Sequence, residues 1–502
     1  MSQFNNRPQD FSVALAGLSK RSRMTATLFQ IAAEKSHHLY LVGGFIRDLF
    51  MGRASKDIDF VTPRASELAA SLAENTGCHT VLFDRKFGTI RLIPATAPEG
   101  EFDRIDLAPL RGSSIEEDLA LRDFTINALA LDISAWQGGV IAFIDPLGGL
   151  RDLSAGRLRA CTHQSLADDP LRILRAYRLV STYGLTLEPK TREWIVEGRR
   201  GLDEVAVERI RDELVLILST SNSAAILRML DGDHLLELVL PECEPMRDLR
   251  QNDFHHQDVW QHSLSALDAL ESFLTSPQEL LGSHTDEALA ALNQKIAGDR
   301  TRESLLKLAV LLHDIGKPAC RTVDKDGFIH FYDHELVGAR LAGAVCSRLC
   351  LSNKEIHFVS QLVRQHMRAI HLFNLVRPSR RALARFFRLG PSLFWPLLLL
   401  FASDYRATRG PTSLGGDMRP LQQRMGEWLE FYHHQLKPRE VKPPLVSGHD
   451  LMDYLHLAPG PTVGKLLQAL AELQWEGRIT TRQEALHQAA LLLKEWGRGG
   501  KE

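Results

Sequence analysis

The stretch that decides the fold reads LVGGFIRDLFMGRASKDIDFV and covers residues 41–61. It begins with apolar residues typical of a short strand, and Gly43 and Gly44 then let the backbone approach a ligand closely. The residues that follow, as far as Met51, have helical spacing, and Gly52 is suited to end that helix. A second apolar strand closes the stretch. The sequence therefore predicts a strand–turn–helix–strand unit with a glycine turn after its first strand.

Two carboxylates give this unit its chemistry. Asp57 and Asp59 flank Ile58 in the second predicted strand. Side chains two residues apart in a strand point to the same side, so both carboxylates share one face while Ile58 faces the core. Paired carboxylate oxygens suit Mg²⁺, and metals held in this way activate an attacking hydroxyl and neutralise charge at a phosphorus. Because backbone N–H groups at a helix start suit a triphosphate, the stretch predicts a nucleotidyl-transfer site.

The residues of this stretch, in this order, resemble the signature of the class II tRNA nucleotidyltransferase and bacterial poly(A) polymerase family, within the polymerase β superfamily. The resemblance implies that Asp57 and Asp59 are the catalytic carboxylates and that they bind Mg²⁺. It also implies that Gly43 and Gly44 approach the phosphates of the nucleotide.

A second motif supplies further nucleotide contacts. The segment that begins at Arg122 resembles the family's nucleotide-ribose motif, in which Arg122 and Asp123 would contact the incoming sugar and phosphates. Leu121 stands where family members commonly have another arginine. By the same resemblance, Arg47 and Asp48 brace the site, and Arg47 is expected among the nucleotide-binding residues.

A third segment, around Asp169, Arg172 and Arg175, resembles the family's base-selecting motif. From the residues alone, Pro170 fits the first turn of a helix, Asp169 would cap that helix, and the arginines would form a solvated or phosphate-facing stripe. The resemblance instead implies that Asp169 and Arg172 bind the Watson–Crick edge of an incoming C or A. A carboxylate accepts from the amino group of either base and a guanidinium donates to ring acceptors, so the protein could replace a template. Arg175 is expected among the nucleotide-binding residues as well.

A separate constellation of titratable residues lies in the C-terminal half. His313-Asp314 is followed by Ile-Gly-Lys-Pro, with His262 upstream and Asp404 downstream. Together these residues resemble the HD-domain metal phosphohydrolases, and the resemblance implies that all four are metal ligands.

Two more histidines, His334 and His366, are available for a second metal. Imidazole together with carboxylate favours Mn²⁺, Fe²⁺, Co²⁺, Ni²⁺ or Zn²⁺ over Mg²⁺ alone. The apolar run 393–402 directly precedes Asp404 and contains Pro396. Because it is too short to span a membrane, we predict a buried helix that delivers this ligand.

These anchors predict the domain organisation. The expected fold class is an α+β nucleotidyltransferase head followed by an all-α neck, an HD domain and a C-terminal helical region. The neck motif 208–214 is expected to stabilise the selecting helix rather than to do chemistry. The Pro/Gly segment 145–152 resembles the family's hinge between head and neck. We place the head at 25–160, the neck at 161–245, the HD domain at 246–410 and the C-terminal tRNA-binding region at 440–500.

Composition agrees with a large enzyme, since 502 residues with 44% hydrophobic content can bury several cores. Six cysteines without a Cys-x-x-Cys pair predict reduced thiols, and the polar N-terminus has no apolar signal core. A cytoplasmic protein without membrane association is therefore expected. The net charge of −2 requires that nucleic acid be bound by local basic surface. The arginine run 377–388 is a candidate, although such runs are more often solvated helix faces.

The expected reaction is the transfer of C and/or A from CTP and ATP to the 3′ end of tRNA, with release of pyrophosphate. The HD module is a candidate phosphohydrolase. A poly(A) polymerase would share the head and neck, but this chain has no strongly basic tail for generic RNA. A phosphohydrolase or nucleotide-binding protein with a non-catalytic head is the other alternative, and the intact pair of Asp57 and Asp59 opposes it.

Segment 103–118 leaves the product open. Family members have a flexible loop in this region, whereas this segment is compact. A partial enzyme, adding only C-C or only A, therefore stands beside an enzyme that makes the whole C-C-A end. Asp106 lies in a strand pattern within this segment, and it is either a third active-site carboxylate or an ordinary strand-edge residue.

Overall fold

The computed structural model describes residues 8–55, 57–84, 88–95, 104–134, 136, 141–251, 257–408, 417–440 and 443–498. The chain divides into two compact units. The first contains the N-terminal 213 residues and residues 232–238, and the second contains the remainder. The predicted fold class is confirmed, because a mixed sheet with helices near the N-terminus is followed by an almost wholly helical chain.

A seven-stranded sheet forms the centre of the first unit, in the order β3-β4-β5-β2-β1-β6-β7. Strands β2 and β5 pair in parallel, and the other neighbours pair antiparallel. The strands are β1 Tyr40–Val42, β2 Asp57–Thr62, β3 His79–Asp84, β4 Thr89–Ile93, β5 Arg104–Pro109, β6 Ala130–Asp132 and β7 Ala142–Ile144.

The sheet is amphipathic because side chains alternate along its strands. In β2, Ile58 and Phe60 are buried in the main core of the first unit. Asp59 lies between them, and the next residue on its side, Val61, packs in a smaller cluster with Val42. The prediction that Ile58 faces the core is confirmed. The period of two leaves one sheet face for the core and the opposite face for polar side chains.

Several helices of the first unit pack on the core face of this sheet, and later helices form the neck. The predicted strand–turn–helix–strand unit is formed by β1, α3 and β2. The helices are α1 Pro8–Arg21, α2 Arg23–Glu34, α3 Gly44–Phe50, α4 Ala65–Thr76, α5 Ile115–Ala120, α6 Gly149–Ser154, α7 His163–Asp168, α8 Leu171–Tyr183, α9 Pro189–Gly198 and α10 Val207–Leu218, with a small ladder of β8 Arg157–Leu158 and β9 Thr186–Leu187.

The second unit is helical apart from two short hairpin ladders, β10 Lys295–Ala297 with β11 Arg300–Thr301 and β12 Arg321–Val323 with β13 Ile329–Phe331. Its helices are α11 Ser223–Gly232, α12 Leu236–Val239, α13 Val259–Thr275, α14 Gln278–Leu281, α15 Thr285–Leu292, α16 Arg302–Leu312, α17 Lys317–Cys320, α18 His334–Arg348, α19 Asn353–Gln365, α20 Met367–Asn374, α21 Arg380–Phe387, α22 Pro391–Ala407, α23 Arg419–Phe431, α24 Lys437–Glu440, α25 Gly448–Leu455, α26 Pro461–Trp475 and α27 Arg482–Arg498. The division cuts three helices, because residue 232 of α11 and residues 236–238 of α12 belong to the first unit, whereas residues 214–218 of α10 belong to the second.

Helix α22 confirms the prediction for the apolar run before Asp404. It packs against α13 and α16, and its residues from Phe394 to Asp404 are buried even though Pro396 lies inside the helix. Among the described residues, no single helix is long and apolar enough to cross a membrane, and the pair α21 and α22, bent by 111°, meets that test only by length and composition.

The arginine run 377–388 contributes to an internal interface. Arg381 of α21 pairs with Glu476 at 3.1 Å, and Arg388, directly after α21, pairs with Glu472 at 2.6 Å. The indole N–H of Trp475 also donates to a backbone carbonyl of α21. These contacts join the C-terminal helices to the α21 region, and RNA binding by this run stays a prediction.

Candidate functional site

A cavity of about 1120 Å³ opens on the polar face of the sheet in the first unit. It brings together residues that lie as far apart in the chain as Val42 and Glu213. The predicted site residues that line it are Gly43, Gly44, Arg47, Asp59, Arg122, Asp123, Asp169, Arg172 and Arg175.

Asp59 and Asp106 form the acidic floor of this cavity. They occupy the same register position on the parallel strands β2 and β5. Residues in register on adjacent strands have neighbouring side chains, so the two carboxylates lie side by side. Asp106 also accepts a bidentate ion pair from Arg91 of β4, at 2.8 and 2.6 Å. Asp106 is thus placed in the site rather than at a sheet edge.

Asp57, the other predicted metal ligand, begins β2 two residues before Asp59. Its side chain lies outside the described residues. The carboxylate oxygens of Asp59 and Asp106 are the hard donors that Mg²⁺ prefers, so the described part of the floor fits that ion.

Gly43 brings the backbone against the reacting side chains. Its φ of +78° is a left-handed conformation that glycine adopts without strain. A methyl group there would lie 3.3 Å from Nη1 of Arg122 and 3.6 Å from Oδ2 of Asp59. The N–H of Gly43 donates to the carbonyl of Leu129, whereas Gly44 is the first residue of α3, whose early N–H groups have no acceptor within the helix.

The nucleotide-ribose motif is held by ion pairs. Arg122 donates to Asp118 at 3.2 and 3.1 Å, and Asp118 is almost fully buried. Asp123 accepts from the side chain of Asn127 at 3.1 Å and lies 3.4 Å from Nη1 of Arg175. Burial raises the pKa of Asp123, but the charges of Arg175 and a neighbouring arginine outweigh it and hold the pKa below its ordinary value. The motif therefore presents ionised acids and fixed arginines at neutral pH.

Arg47 joins the phosphate helix α3 to the selecting helix α8. Its guanidinium donates to Asp48 at 2.8 Å, to Asn127 at 2.5 Å, and to the hydroxyl of Tyr183. Tyr183 in turn donates to Asp48 at 2.9 Å. Arg47 also lies over the Tyr183 ring, with its guanidinium carbon 4.1 Å from the centroid. These contacts support the predicted bracing role, and the nucleotide contact of Arg47 stays a prediction.

The two predicted base-selecting residues lie at the junction of α7 and α8. Pro170 is the N-cap residue of α8, one position before the expected first turn, and the Asp169 side chain pairs with Arg209 of α10 at 2.9 Å instead of capping the helix. Arg172 is buried and donates to the carbonyl of Ser165 at 2.8 Å. Burial raises the pKa of Asp169, and the hydrogen bond from Arg209 more than offsets this, so its pKa is lowered and it stays an acceptor.

The neck motif stabilises α8, as the sequence predicts. Glu213 of α10 is buried and accepts from Arg175 at 3.3 Å and from Arg178 at 2.6 Å. Arg175 is thereby shared between Glu213 and Asp123. Because a charged hydrogen bond is directional, this network fixes the rotation of α8 toward the cavity.

The second unit brings the six predicted HD residues together. Two groups have ligand atoms within 4.8 Å of one another: one is His262, His313 and Asp404, and the other is Asp314, His334 and His366. Asp314 connects the groups, because its Oδ2 lies 3.2 Å from Nε2 of His313 and its Oδ1 lies 3.4 Å from Nε2 of His334.

The histidines of this cluster are oriented for metal binding. Nδ1 of His313, His334 and His366 lies 2.7 to 2.8 Å from the carbonyl oxygen three residues earlier, so each ring donates there and presents Nε2 to the cluster. Nε2 of His313 is buried without a hydrogen-bond partner, as expected of a ligand atom. Burial, with the charges of His313 and His334, lowers the pKa of His366 to about 3, so this ring is neutral. The donor set fits two divalent metals.

Sequence reasoning missed several residues of the head site. Tyr183, Arg91 and Phe83 all contact predicted site residues or line the cavity. Arg209 belongs to the neck motif, for which the sequence predicted only a structural role, yet it contacts the predicted selecting residue Asp169. Tyr183 has no local signal because its partners lie on another helix. The strand alternation of β3 and β4 could have indicated Arg91 and Phe83, since both belong to the polar face.

Family models match the chain in the order of its domains. A model of the poly A polymerase head domain matches residues 39–159, and one described as "Probable RNA and SrmB- binding site of polymerase A" matches 184–246. An HD-domain model matches 259–385, and a model of tRNA nucleotidyltransferase domain 2 matches 417–490.

Relatives of known activity match nearly the whole chain. The A-adding tRNA nucleotidyltransferase of Deinococcus radiodurans is 35% identical, covering 89% of this chain and 93% of the relative. The CC-adding tRNA nucleotidyltransferase of Thermus thermophilus is 33% identical, covering 92% and 94%. A solved structure of a CCA-adding enzyme shares the fold, with a TM-score of 0.60, 21% identity and coverage of 95% and 96%. The chain is therefore a nucleotidyltransferase and belongs to the class II tRNA nucleotidyltransferase and bacterial poly(A) polymerase family.

Proposed function

We propose that this chain adds C and/or A nucleotides to the 3′ end of tRNA from CTP and ATP and releases pyrophosphate. The observation that carries this proposal is the single cavity in which Asp59, the Gly43–Gly44 turn, and the pair Asp169 and Arg172 meet. Carboxylates for transfer, a phosphate turn and a pair suited to a base are the parts that such a reaction requires. The A-adding and CC-adding relatives support tRNA as the acceptor. We place the reaction in the cytoplasm.

Different residues of the cavity bind the metal, admit the triphosphate and stabilise its charge. Asp57, Asp59 and Asp106 are the acids that would hold Mg²⁺, which when bound supplies hydroxyl activation and charge neutralisation at the phosphorus. The Gly43–Gly44 turn admits the triphosphate close to the backbone. Arg122, fixed by Asp118, stands beside Gly43 and stabilises negative phosphate oxygens. Because these groups are held before the substrate arrives, they need little rearrangement during transfer.

Base selection is assigned to Asp169 and Arg172. The carboxylate of Asp169 accepts from the amino group of cytosine or adenine, whereas uracil presents a carbonyl at that place. Arg172 is anchored by backbone carbonyls, and Arg209 holds Asp169. Anchoring of both groups supports a protein template, because a selecting pair must keep its spacing to reject the wrong base.

Arg172→Lys is expected to reduce discrimination between CTP and UTP by roughly 5- to 150-fold, equivalent to the loss of one good bidentate contact of about 1–3 kcal/mol. Lysine keeps the charge but loses the planar fork of donors. Competition between the two nucleotides in single-nucleotide addition measures the ratio. Arg200→Lys, at an exposed neck position, is the matched control. Unchanged discrimination in a folded Arg172→Lys protein would contradict the assignment.

A partial activity is the second candidate, and the β5–α5 connection favours it. Only residues 110–114 join the two elements. Arg111 pairs with Asp118 at 3.0 Å, and the backbone N–H and hydroxyl of Ser113 donate to Glu117 at 2.6 and 2.9 Å. So short and tied a connection has little freedom to adapt the cavity from C to A. This observation supports addition of one kind of nucleotide.

Three tRNA acceptors test the proposal: one ending at the discriminator base, one at C and one at C-C, each with CTP, ATP or both. Addition of C-C and then A supports full end synthesis. A halt after C-C supports the CC-adding activity, and addition of A only to C-C ends identifies an A-adding enzyme. Long A tails on arbitrary RNA would reject tRNA as the specific acceptor.

The HD cluster favours a separate metal-dependent phosphoester hydrolysis, because its two ligand groups fit two transition metals. His313→Ala is expected to reduce hydrolysis of a 2′,3′-cyclic nucleotide to background and to leave nucleotide addition unchanged, since different residues carry each reaction. Hydrolysis across Mn²⁺, Co²⁺, Ni²⁺, Zn²⁺ and Fe²⁺, with metal content by mass spectrometry, checks this. His357→Ala, an exposed histidine of α19, is the control. Joint loss of both activities would contradict the independence of the sites.

A further inference from the structure

Phe83 is an exposed aromatic ring in the wall of the catalytic cavity. Phe83 lies near the end of β3, which is an edge strand of the sheet. Although its side chain lines the cavity, 56% of the residue's surface is accessible to solvent. A large apolar ring gains stability from burial, so exposure at this place leaves a π-face available for a ligand. Its exposed neighbour Leu82 is not among the residues that line the cavity.

Arg91 links this ring to the catalytic floor. Its guanidinium carbon lies 3.4 Å from the centroid of Phe83, a stacked cation–π contact. The same guanidinium makes the bidentate pair with Asp106. Arg91, Asp106 and Asp59 stand in register on β4, β5 and β2, so they form one row across the sheet. Val81 stands opposite Arg91 on β3, and Phe83, two residues further along that strand, reaches the row that carries the catalytic carboxylate through its contact with Arg91.

We infer that Phe83 stacks on the 3′-terminal base of the RNA acceptor and so positions the 3′-hydroxyl at Asp59, an inference that rests on the function proposed above. The incoming nucleotide already has its partners, with its base at Asp169 and Arg172 and its phosphates at the glycine turn. The remaining wall beside the carboxylates must receive the acceptor strand. The terminal base of that strand changes after every addition, and stacking tolerates each base because every base has a π-face.

Phe83→Ala tests this directly. It is expected to raise the KM for a tRNA ending at the discriminator base roughly tenfold, within the range for loss of one base–aromatic stack. The KM for the nucleotide should not change, since Asp169 and Arg172 are untouched. Phe83→Trp should restore the KM, because it keeps an aromatic face. Leu82→Ala, 54% exposed on the opposite strand face, is the matched control.

A second acceptor RNA, whose last nucleotide lacks its base but keeps the 3′-hydroxyl, completes a double-mutant cycle between Phe83 and the terminal base. The wild-type protein should lose about as much affinity for this RNA as it loses through Phe83→Ala, and the variant should not distinguish the two RNAs. Equal KM values for wild type and variant, or losses that add independently, would overturn the inference while transfer itself continued. Absence of transfer by the wild-type protein to tRNAs ending at the discriminator base, at C and at C-C would instead reject the proposed function.

Discussion

Replacement of Asp59 by Asn is expected to reduce nucleotide transfer to tRNA by about 10²-fold or more, as when preorganised electrostatic stabilisation is withdrawn. The amide keeps the shape of the carboxylate but has no charge to hold Mg²⁺. Asp59 lies in register with Asp106 on the cavity floor, and its strand neighbours Ile58 and Phe60 pack in the main core. Single-turnover incorporation of labelled CMP or AMP measures the loss.

The control for this variant is Asp132→Asn, a carboxylate on β6 of the same sheet that accepts from Ser134 and does not line the cavity. It should transfer nucleotides at nearly the wild-type rate. A folded Asp59→Asn protein with near-normal incorporation would remove Asp59 from the catalytic role.

Gly149→Ala is expected to destabilise the first unit by about 3 kcal/mol, the upper end of the usual cost of overpacking. A methyl group at Gly149 would lie 2.0 Å from the carbonyl oxygen of Thr125 and 2.7 Å from its carbonyl carbon. Both atoms belong to the backbone next to Asp123 and Asn127, so relief of the clash must also move the nucleotide-ribose motif. Urea unfolding measures the free energy, and nucleotide KM reports the displacement.

The adjacent glycine separates a steric clash from backbone strain. Gly148 has φ +72° and nothing within 4 Å of its Cβ position. Gly148→Ala should therefore cost only about 1 kcal/mol, the penalty for an L-residue in the left-handed region, and should leave nucleotide KM unchanged. Equal losses for the two variants would contradict the packing described at Gly149.

Local patterns predicted the parts of the site that are continuous in sequence. The glycine turn, the helix after it and the position of Asp59 on a strand follow from spacing, because strand and helix periods are set within a few residues. The helix ends at Phe50, one residue before the predicted end. The buried helix before Asp404 was predicted from its apolar run for the same reason.

Contacts between residues far apart in the sequence could not be predicted from local spacing. Nothing near Asp169 indicates that Arg209, 40 residues later, pairs with it, and the alternative in which the Asp169 side chain caps the helix does not account for this contact. The contact of Arg47 with Tyr183 spans 136 residues and depends on how α8 packs on the head. The six HD residues were found only because their order resembles a known family, since their two-group geometry depends on five separate helices or helix ends.

The intact mass of a tRNA that lacks its C-C-A end, measured after reaction with all four nucleoside triphosphates, tests the central claim most directly. We predict increments of C and A alone, at most three in number, with one pyrophosphate released for each. Mass gains that correspond to U or G, a long A tail, or no gain from a folded protein both on this tRNA and on a tRNA that ends in C-C would contradict the account.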